Sequence, residues 1–389
     1  MKFTIVKEEL LEKLSKISNV ASTNSANPVT ANVLLSVDSE SDKMLLTCTD
    51  CEVQLSTYAY GVTVMEAGKT TVNAKTLLEL LKKAPSGIFK FSIAEDGEKL
   101  SASCGKFRSS MVAINADLFP EVISVKPLFE YKINANELLQ LIKTTKFCIA
   151  NDSYRLFLKG LRFQTEGKKL TVIAADGHRL AINACEIEEV EYPTANTDNG
   201  FILPKKATEQ LYNLLNSAKK TIEDNEEVTI SVSSNAISTT VNEVDLLSVK
   251  IDCAYPNVSN MLFSNPNHIY TVNKKILAET VARVSIMSNN LNKAVELVFS
   301  STSCDIQAKN SKHEDCIDSI EAGTYSGKDG FSIALNAEYI IQVCNTIDTE
   351  QMSLMFADKC NNCMIVPFVS KEEEQGAEQQ KFLISRIIV

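Results

Sequence analysis

The sequence contains no tryptophan and only three histidines, His178, His268 and His313. The first absence closes any argument from indole stacking. The second leaves too few and too scattered imidazoles for most histidine-based metal or acid–base sites. No run of 18 apolar residues occurs, so a membrane-spanning helix is excluded. There is no Walker loop, no GxGxxG after a strand and no GxSxG elbow, which removes the commonest nucleotide and hydrolase signatures. The start, Met1-Lys2-Phe3-Thr4-Ile5-Val6, turns charged at Lys7-Glu8-Glu9 and does not read as a secretory signal. A cytoplasmic protein with no membrane partner is expected. Positive charge is also in deficit: 39 Lys and Arg stand against 49 Asp and Glu, a net −10.

The chain does have eleven cysteines, read here as reduced thiols. Two pairs have CxxC spacing, Cys48-Cys51 and Cys360-Cys363, and together could supply four zinc thiolates. Both pairs lie in strand-like stretches, where cysteine packs as a small hydrophobe. The expectation is therefore no metal and no cofactor.

Internal similarity is the most informative feature. Phe3-Thr-Ile5 leading to Leu10-Leu11, Tyr131-Lys-Ile133 leading to Leu138-Leu139, and Tyr270-Thr-Val272 leading to Ile276-Leu277 share one pattern. Each is a short alternating strand feeding a helix with apolar residues at helical spacing. Asn134 and Asn273 stand where N-caps belong. A second strand–helix pattern recurs at Thr71-Val72-Asn73, Ile202-Leu203-Pro204 and Ala334-Leu335-Asn336. The two alternate, dividing the chain into modules 1–127, 128–264 and 265–389, each of ordinary domain size. Strand signals fill the intervals, and Asp176-Gly177 reads as a two-residue hairpin turn. The fold class is α+β, with antiparallel sheets carrying helices on one face.

Lysines gather on the expected helices: Lys13 and Lys16, Lys82 and Lys83, Lys143 and Lys146, Lys205 and Lys206, Lys219 and Lys220, Lys274 and Lys275, with Arg283 on the last-named helix. Solvated helix faces and helix C-termini are commonly basic, which accounts for any one cluster. The same bias on five of six related helices, the sixth (336–348) having none, suits an acidic protein with one basic face that binds phosphates without reading sequence. Asp176-Gly177-His178-Arg179 is the one constellation resembling catalytic chemistry. As a hairpin tip its side chains would splay, so no catalytic residue is assigned.

The start Met1-Lys2-Phe3-Thr4, the stretch Ala174-Ala175-Asp176-Gly177-His178-Arg179-Leu180-Ala181, the strand ends Asp117-Leu118-Phe119-Pro120 and Ala254-Tyr255-Pro256, and the threefold repeat together resemble the bacterial DNA polymerase III beta sliding clamp family, over essentially the whole chain. The resemblance implies a head-to-tail homodimer, a ring with helices lining a hole around double-stranded DNA, held without sequence reading. It implies a peptide groove for the replicative polymerase and clamp loader at Arg155, Leu158, Ala175, Gly177, His178, Arg179, Leu180, Pro256, Met261, Asn336, Tyr339, Cys360 and Asn362, completed by Leu383, Ser385, Arg386 and Ile387. It implies a subunit contact in which Lys106, Arg108 and Met111 meet Ile286, Met287, Glu314, Asp315 and Asp318. Ordinary core packing accounts equally for each apolar member. Departures from the family pattern include Arg386 in place of an apolar residue, Asn24 in place of a base, and an acidic stretch at 371–380. Two other readings compete: a clamp-like protein-binding scaffold that does not encircle DNA, and a DNA-modifying enzyme, which lacks a nucleophile or metal constellation.

Overall fold

The computed structural model describes residues 1–22, 27–120, 126–190, 192, 199–219, 223, 225–357, 361–369 and 380–388. Asn24, Lys220, Cys360 and residues 371–379 of the acidic stretch 371–380 lie outside the described residues. Among the described residues there are six α-helices: α1 (Lys7–Ile17), α2 (Ala74–Lys83), α3 (Ala135–Thr145), α4 (Lys205–Ala218), α5 (Lys274–Val284) and α6 (Ala337–Thr346). Each follows directly on a strand, as the repeat predicts. Asn73, Asn273 and Asn336 cap α2, α5 and α6 by accepting main-chain N–H bonds, and Asn134 accepts from Asn136 N at 2.9 Å.

The chain forms two compact units: residues 1–136, 190–197 and 206–250, and residues 137–189, 198–205 and 251–389. They do not coincide with the three repeats. The cause is sheet continuity. In the first unit, thirteen antiparallel strands form one sheet, in which Val53–Ala59 pairs with Val244–Val249 in the register Leu55↔Leu246. In the second unit, a nine-stranded sheet is continuous through Arg179–Glu186 and Lys381–Ser385, in the register Leu180↔Leu383. Strands from different repeats are thus zipped edge to edge. A separate four-stranded sheet, ending on Asp315–Ile320, belongs to the second unit.

Core placement follows the alternation in the sequence. In Lys2–Val6, Phe3 and Ile5 are buried, and Phe3 stacks on Phe91 at 5.1 Å. On α1, Leu10, Leu14 and Ile17 face inward, and on α5 so do Leu277, Val281 and Val284. A fully buried side chain of this kind contributes about 2 kcal/mol.

One hairpin is built three times. Asp50 N donates to Val53 O at 3.2 Å, and its Oδ1 accepts from Glu52 N and Val53 N at 3.0 and 2.8 Å. Asp176 N donates to Arg179 O at 3.2 Å, and its Oδ1 accepts from His178 N and Arg179 N at 2.9 and 3.0 Å. Asn310 N donates to Glu314 O at 3.0 Å, and its Oδ1 accepts from Lys312 N and Glu314 N at 2.9 and 3.1 Å. Each loop has one residue in the left-handed region: Cys51 (φ 76°), Gly177 (φ 97°) or His313 (φ 67°). The sequence expectation is corrected on two points here. The central turn residues are Gly177-His178, one position later than Asp176-Gly177. Asp176 does not splay from the tip but turns back to cap its own loop, because a short carboxylate two residues before an N–H closes an Asx turn.

Candidate peptide groove, basic helix faces and open sheet edges

Four pieces of the second unit converge on a groove of about 240 Å³. The hairpin at 175–180 supplies Ala175, Gly177, His178, Arg179 and Leu180. The strand Lys381–Ser385 supplies Leu383 and Ser385. The 3-10 turn Leu156–Lys159 and its lead-in supply Arg155, Phe157 and Leu158, and the segment after the last strand of the second repeat supplies Tyr255, Pro256, Val258 and Met261, with Asn362 closing one side. Leu180 and Leu383 form the floor and belong to a buried cluster with Ile173, against which Tyr255, Val258 and Leu262 pack. Met261 is 49 % exposed, Pro256 and His178 are exposed, and Tyr154, whose hydroxyl accepts from Arg155 Nε at 3.1 Å, is 87 % exposed. The result is an apolar trough with a few polar anchors, the form in which short peptides are bound.

Arg179 lies in the wall rather than reaching into the opening. Its Nε donates to Asp176 Oδ2 at 2.8 Å and its Nη2 to Phe147 O at 2.7 Å. Its Nη1 meets Gln342, and its guanidinium lies 4.3 Å from the centre of the Tyr339 ring. Tyr339 therefore supports Arg179 from beneath and does not line the groove. Asn336 also lies off the lining: it caps α6 and donates to Asn292 O at 3.0 Å. Arg386 N and Ile387 N are tied to Asn361 O and Ala334 O, beyond the lining residues. Phe157, Tyr255 and Val258 also line the groove, beyond the residues that the resemblance assigns to it. The signal for them was adjacency, since each stands one or two positions from a residue so assigned. The buried Tyr255 hydroxyl has no hydrogen-bond partner among the described residues, and burial pushes its phenol pKa up.

The helix bases are more engaged than a free cationic face would be. Lys13 is buried and its ammonium binds Glu243, so it is corrected from a phosphate contact to an internal ion pair. Burial opposes its charged form, but the hydrogen bond and charge of Glu243, together with the charges of Glu9 and Glu12, outweigh that and raise its pKa. Lys274 donates to Ile347 O at the end of α6, as buried Lys7 does to Ala84 O at the end of α2. Both ammoniums thus cap a neighbouring helix's negative end. Lys206 pairs with Asp50, Lys205 with Asn151, Lys143 with Asp348 at 3.2 Å, Lys16 with Glu12 at 3.0 Å, Lys82 with Glu79 at 2.8 Å, and Lys275 with Glu279 at 3.9 Å. Arg283 binds Asp318 at 2.7 Å. Lys146 falls in a 3-10 turn after α3, and Lys83 and Lys219 are exposed at or just past helix ends.

Among the described residues, the first and third repeats each leave unpaired the strand side that corresponds to a junction inside a unit. In Phe107–Ile114, residues 107–112 pair with Lys99–Cys104, while on the other side only Ala113 and Ile114 are paired among the described residues, with Val72 and Thr71. Among the described residues, Asp315–Ile320 pairs only with Cys304–Lys309. Lys106 stands at the tip of the hairpin entering the first edge, Arg108 folds back onto Gly105 O at 2.7 Å, and Met111 is buried. Ile286, 75 % exposed, and Met287 lie in the 3-10 turn Ser285–Met287 that follows α5, and Glu314, at the start of the second edge, is held by Asn310 Nδ2 at 2.7 Å.

No cluster of three metal-binding side chains occurs among the described residues. Cys48 and Cys363 are fully buried, and burial pushes both thiols up, away from the thiolate that a metal needs. No helix among the described residues is long and apolar enough to cross a membrane.

Three consecutive segments match the domains described as DNA polymerase III beta subunit: N-terminal (1–123), central (132–257) and C-terminal (260–377). The chain is similar to the beta sliding clamps of Haemophilus influenzae, at 28% identity, and Escherichia coli K12, at 27%, each match covering 94% of this chain and 95% of the relative. The crystal structure of the DNA polymerase III subunit beta from Pseudomonas aeruginosa superposes with a TM-score of 0.89 at 26% identity, over all of both chains. Sheets zipped across repeats, a strand–helix unit used six times, and matches to all three clamp domains in order lead to one conclusion: this chain belongs to the DNA polymerase III beta-subunit family, the bacterial sliding clamps.

Proposed function

We propose that the protein is a non-catalytic processivity factor: a homodimeric ring that encloses duplex DNA and tethers the replicative polymerase and clamp loader through short peptides. Its three modules would be 1–127, 128–264 and 265–389, and its place would be the cytoplasm. One observation carries the ring reading. Two junctions between repeats are made by antiparallel edge pairing, and the equivalent edges of the first and third repeats, at residues 107–112 and Asp315–Ile320, are unpaired among the described residues. Unpaired edges of this kind are templates for a second chain. Two copies joined head to tail would satisfy both, with Lys106 and Arg108 facing Glu314, Asp315 and Asp318 around Met111, Ile286 and Met287, a polar rim about an apolar centre. The test is native mass spectrometry with nicked circular and linear duplexes. A ring stays on the circle and runs off the linear form. Equal loss from both would favour the protein-binding scaffold instead.

The groove between Arg155 and Leu383 would take a peptide carrying Gln, Leu and a terminal Leu-Phe pair. Its apolar side chains would lie on Leu158, Leu180, Pro256 and Met261, in the micromolar range, on the order of −8 kcal/mol. Arg386, exposed beside Asn361, would favour an acidic residue near the peptide's end. Calorimetry with neutral and acidic peptides on wild type and Arg386→Ala decides this. Equal affinities throughout remove the acidic preference.

A further inference from the structure

The threefold hairpin makes residues of different repeats equivalent, and the junction inside the first unit can therefore be read as a template for the open edges. Val53, Arg179 and Glu314 each close the Asx-capped loop, so Thr57 corresponds to Asp318. The two-residue turns Asn242-Glu243 and Gly105-Lys106 each begin with a left-handed residue (φ 48° and 56°) and lead into the outer strand. Glu243 therefore corresponds to Lys106. Helices α1 and α5 have the same length and both start at a capping lysine, so Lys13 corresponds to Thr280 and Lys16 to Arg283.

At the internal junction, the Glu243 carboxylate binds Lys13 and its main-chain oxygen accepts from Thr57 Oγ1 at 2.8 Å. At the open edge the signs are inverted: the base stands on the turn and the acid on the strand. The acid is already occupied. Arg283 donates to Asp318 through Nε at 3.0 Å and Nη2 at 2.7 Å, and Nη2 also donates to Thr280 Oγ1 at 3.0 Å. Arg283 thus ties together the two positions where the template places the partner's turn.

We propose that a second copy docks in the register of the internal junction, with the partner's Lys106 in the place of Glu243, and that ring closure exchanges the Arg283–Asp318 ion pair for an intersubunit Lys106–Asp318 pair. The proposal rests on the ring reading. Carrying over Leu246↔Leu55 sets Ser109 opposite the partner's Cys316, and carrying over Ser248↔Val53 sets Met111 opposite the partner's Glu314. Arg283 is then a positioning residue that shields the edge acid in the open subunit and is released toward the helix face on closure.

The test uses the full chain. The dimer dissociation constant is measured by sedimentation for wild type, Arg283→Gln, Lys106→Gln and the double variant. Because the competitor is removed, Arg283→Gln should tighten the dimer by about two- to fivefold, the scale of one exposed ion pair, and the gain should vanish with Lys106→Gln. Lys106→Glu and Asp318→Lys should each weaken the dimer and together restore it. Ser109→Cys should give a diamide-induced covalent dimer that Cys316→Ser removes, since facing strand residues lie within disulfide reach. Arg283→Gln leaving the dimer unchanged or weaker overturns the exchange. A persistent dimer without the cross-link overturns the register. A wild type that stays monomeric at every concentration removes the ring reading itself, and the exchange with it.

Discussion

At the scale of the residue, the groove separates binding from folding. Leu180 and Leu383 form its floor and are 3 % exposed each, whereas Met261 is half in solvent. Leu180→Ala should cost about 2–4 kcal/mol in chemical denaturation, through lost burial and an unfilled cavity. Met261→Ala should leave stability within about 0.5 kcal/mol and weaken the peptide by several-fold, as truncation of a contact residue does. Calorimetry and urea melts on both variants would separate the roles, and a stability loss at Met261 matching that at Leu180 would put it in the core instead. Lys13 yields a pH prediction. Its pKa is raised in the folded chain, so the pair with Glu243 contributes fully below the unfolded lysine value, near 10.4. That contribution fades as pH rises through the folded value. The stability gap between wild type and Lys13→Met, measured in urea, should be constant from pH 7 to 9 and shrink above pH 10.

The elements were legible where the signal was local. Strand-to-helix transitions at Phe3, Tyr131 and Tyr270 needed only alternation followed by helical spacing. The partners of the lysines were not legible, because Lys13 and Glu243 are 230 positions apart and nothing in either neighbourhood points to the other. The twist of the Asp176 loop was missed by one residue for a related reason: Asp-Gly is a common turn pair, and only the bonds to His178 N and Arg179 N reveal that the aspartate precedes the turn. The tripled loop allows a direct test of backbone strain. Cys51 holds φ 76° where its counterpart is Gly177 at 97°. Left-handed backbone costs a residue with a Cβ roughly 1–2 kcal/mol, and glycine's greater freedom in the unfolded chain offsets part of that. Cys51→Gly should therefore stabilise by about 0.5 kcal/mol. Gly177→Val, whose added carbon meets open space, should destabilise through φ alone and narrow the groove mouth. Melts of both variants check the sign, and a stabilising Gly177→Val would refute the strain argument.

For the whole molecule, net charge and function pull in opposite directions, and the ion pairs reconcile them. A chain of net −10 that must stay on DNA without gripping it gains from bases already shared with acids, because each such base releases fewer counterions. The salt dependence of DNA retention should therefore be shallow. Replacing Lys16, Lys83 and Lys219 with Ala should make it shallower still for every DNA sequence alike, whereas Lys13→Ala should leave the slope unchanged. Retention on nicked circles at increasing salt measures this, and a slope altered by Lys13→Ala would return that residue to the DNA face.

The open edges also set a clock on the backbone itself. The amides of residues 53–57 and 179–182 are locked in ladders within single units and can trade their protons for deuterium only when the sheet comes apart. Outward-facing amides of Phe107–Val112 and Asp315–Ile320 have no such lock in an isolated subunit. In a deuterium time course on a dilute sample these two stretches should label early. As concentration rises through the dimer range, both should slow together and to the same extent, a paired signature that a subunit joined by side chains alone would not produce.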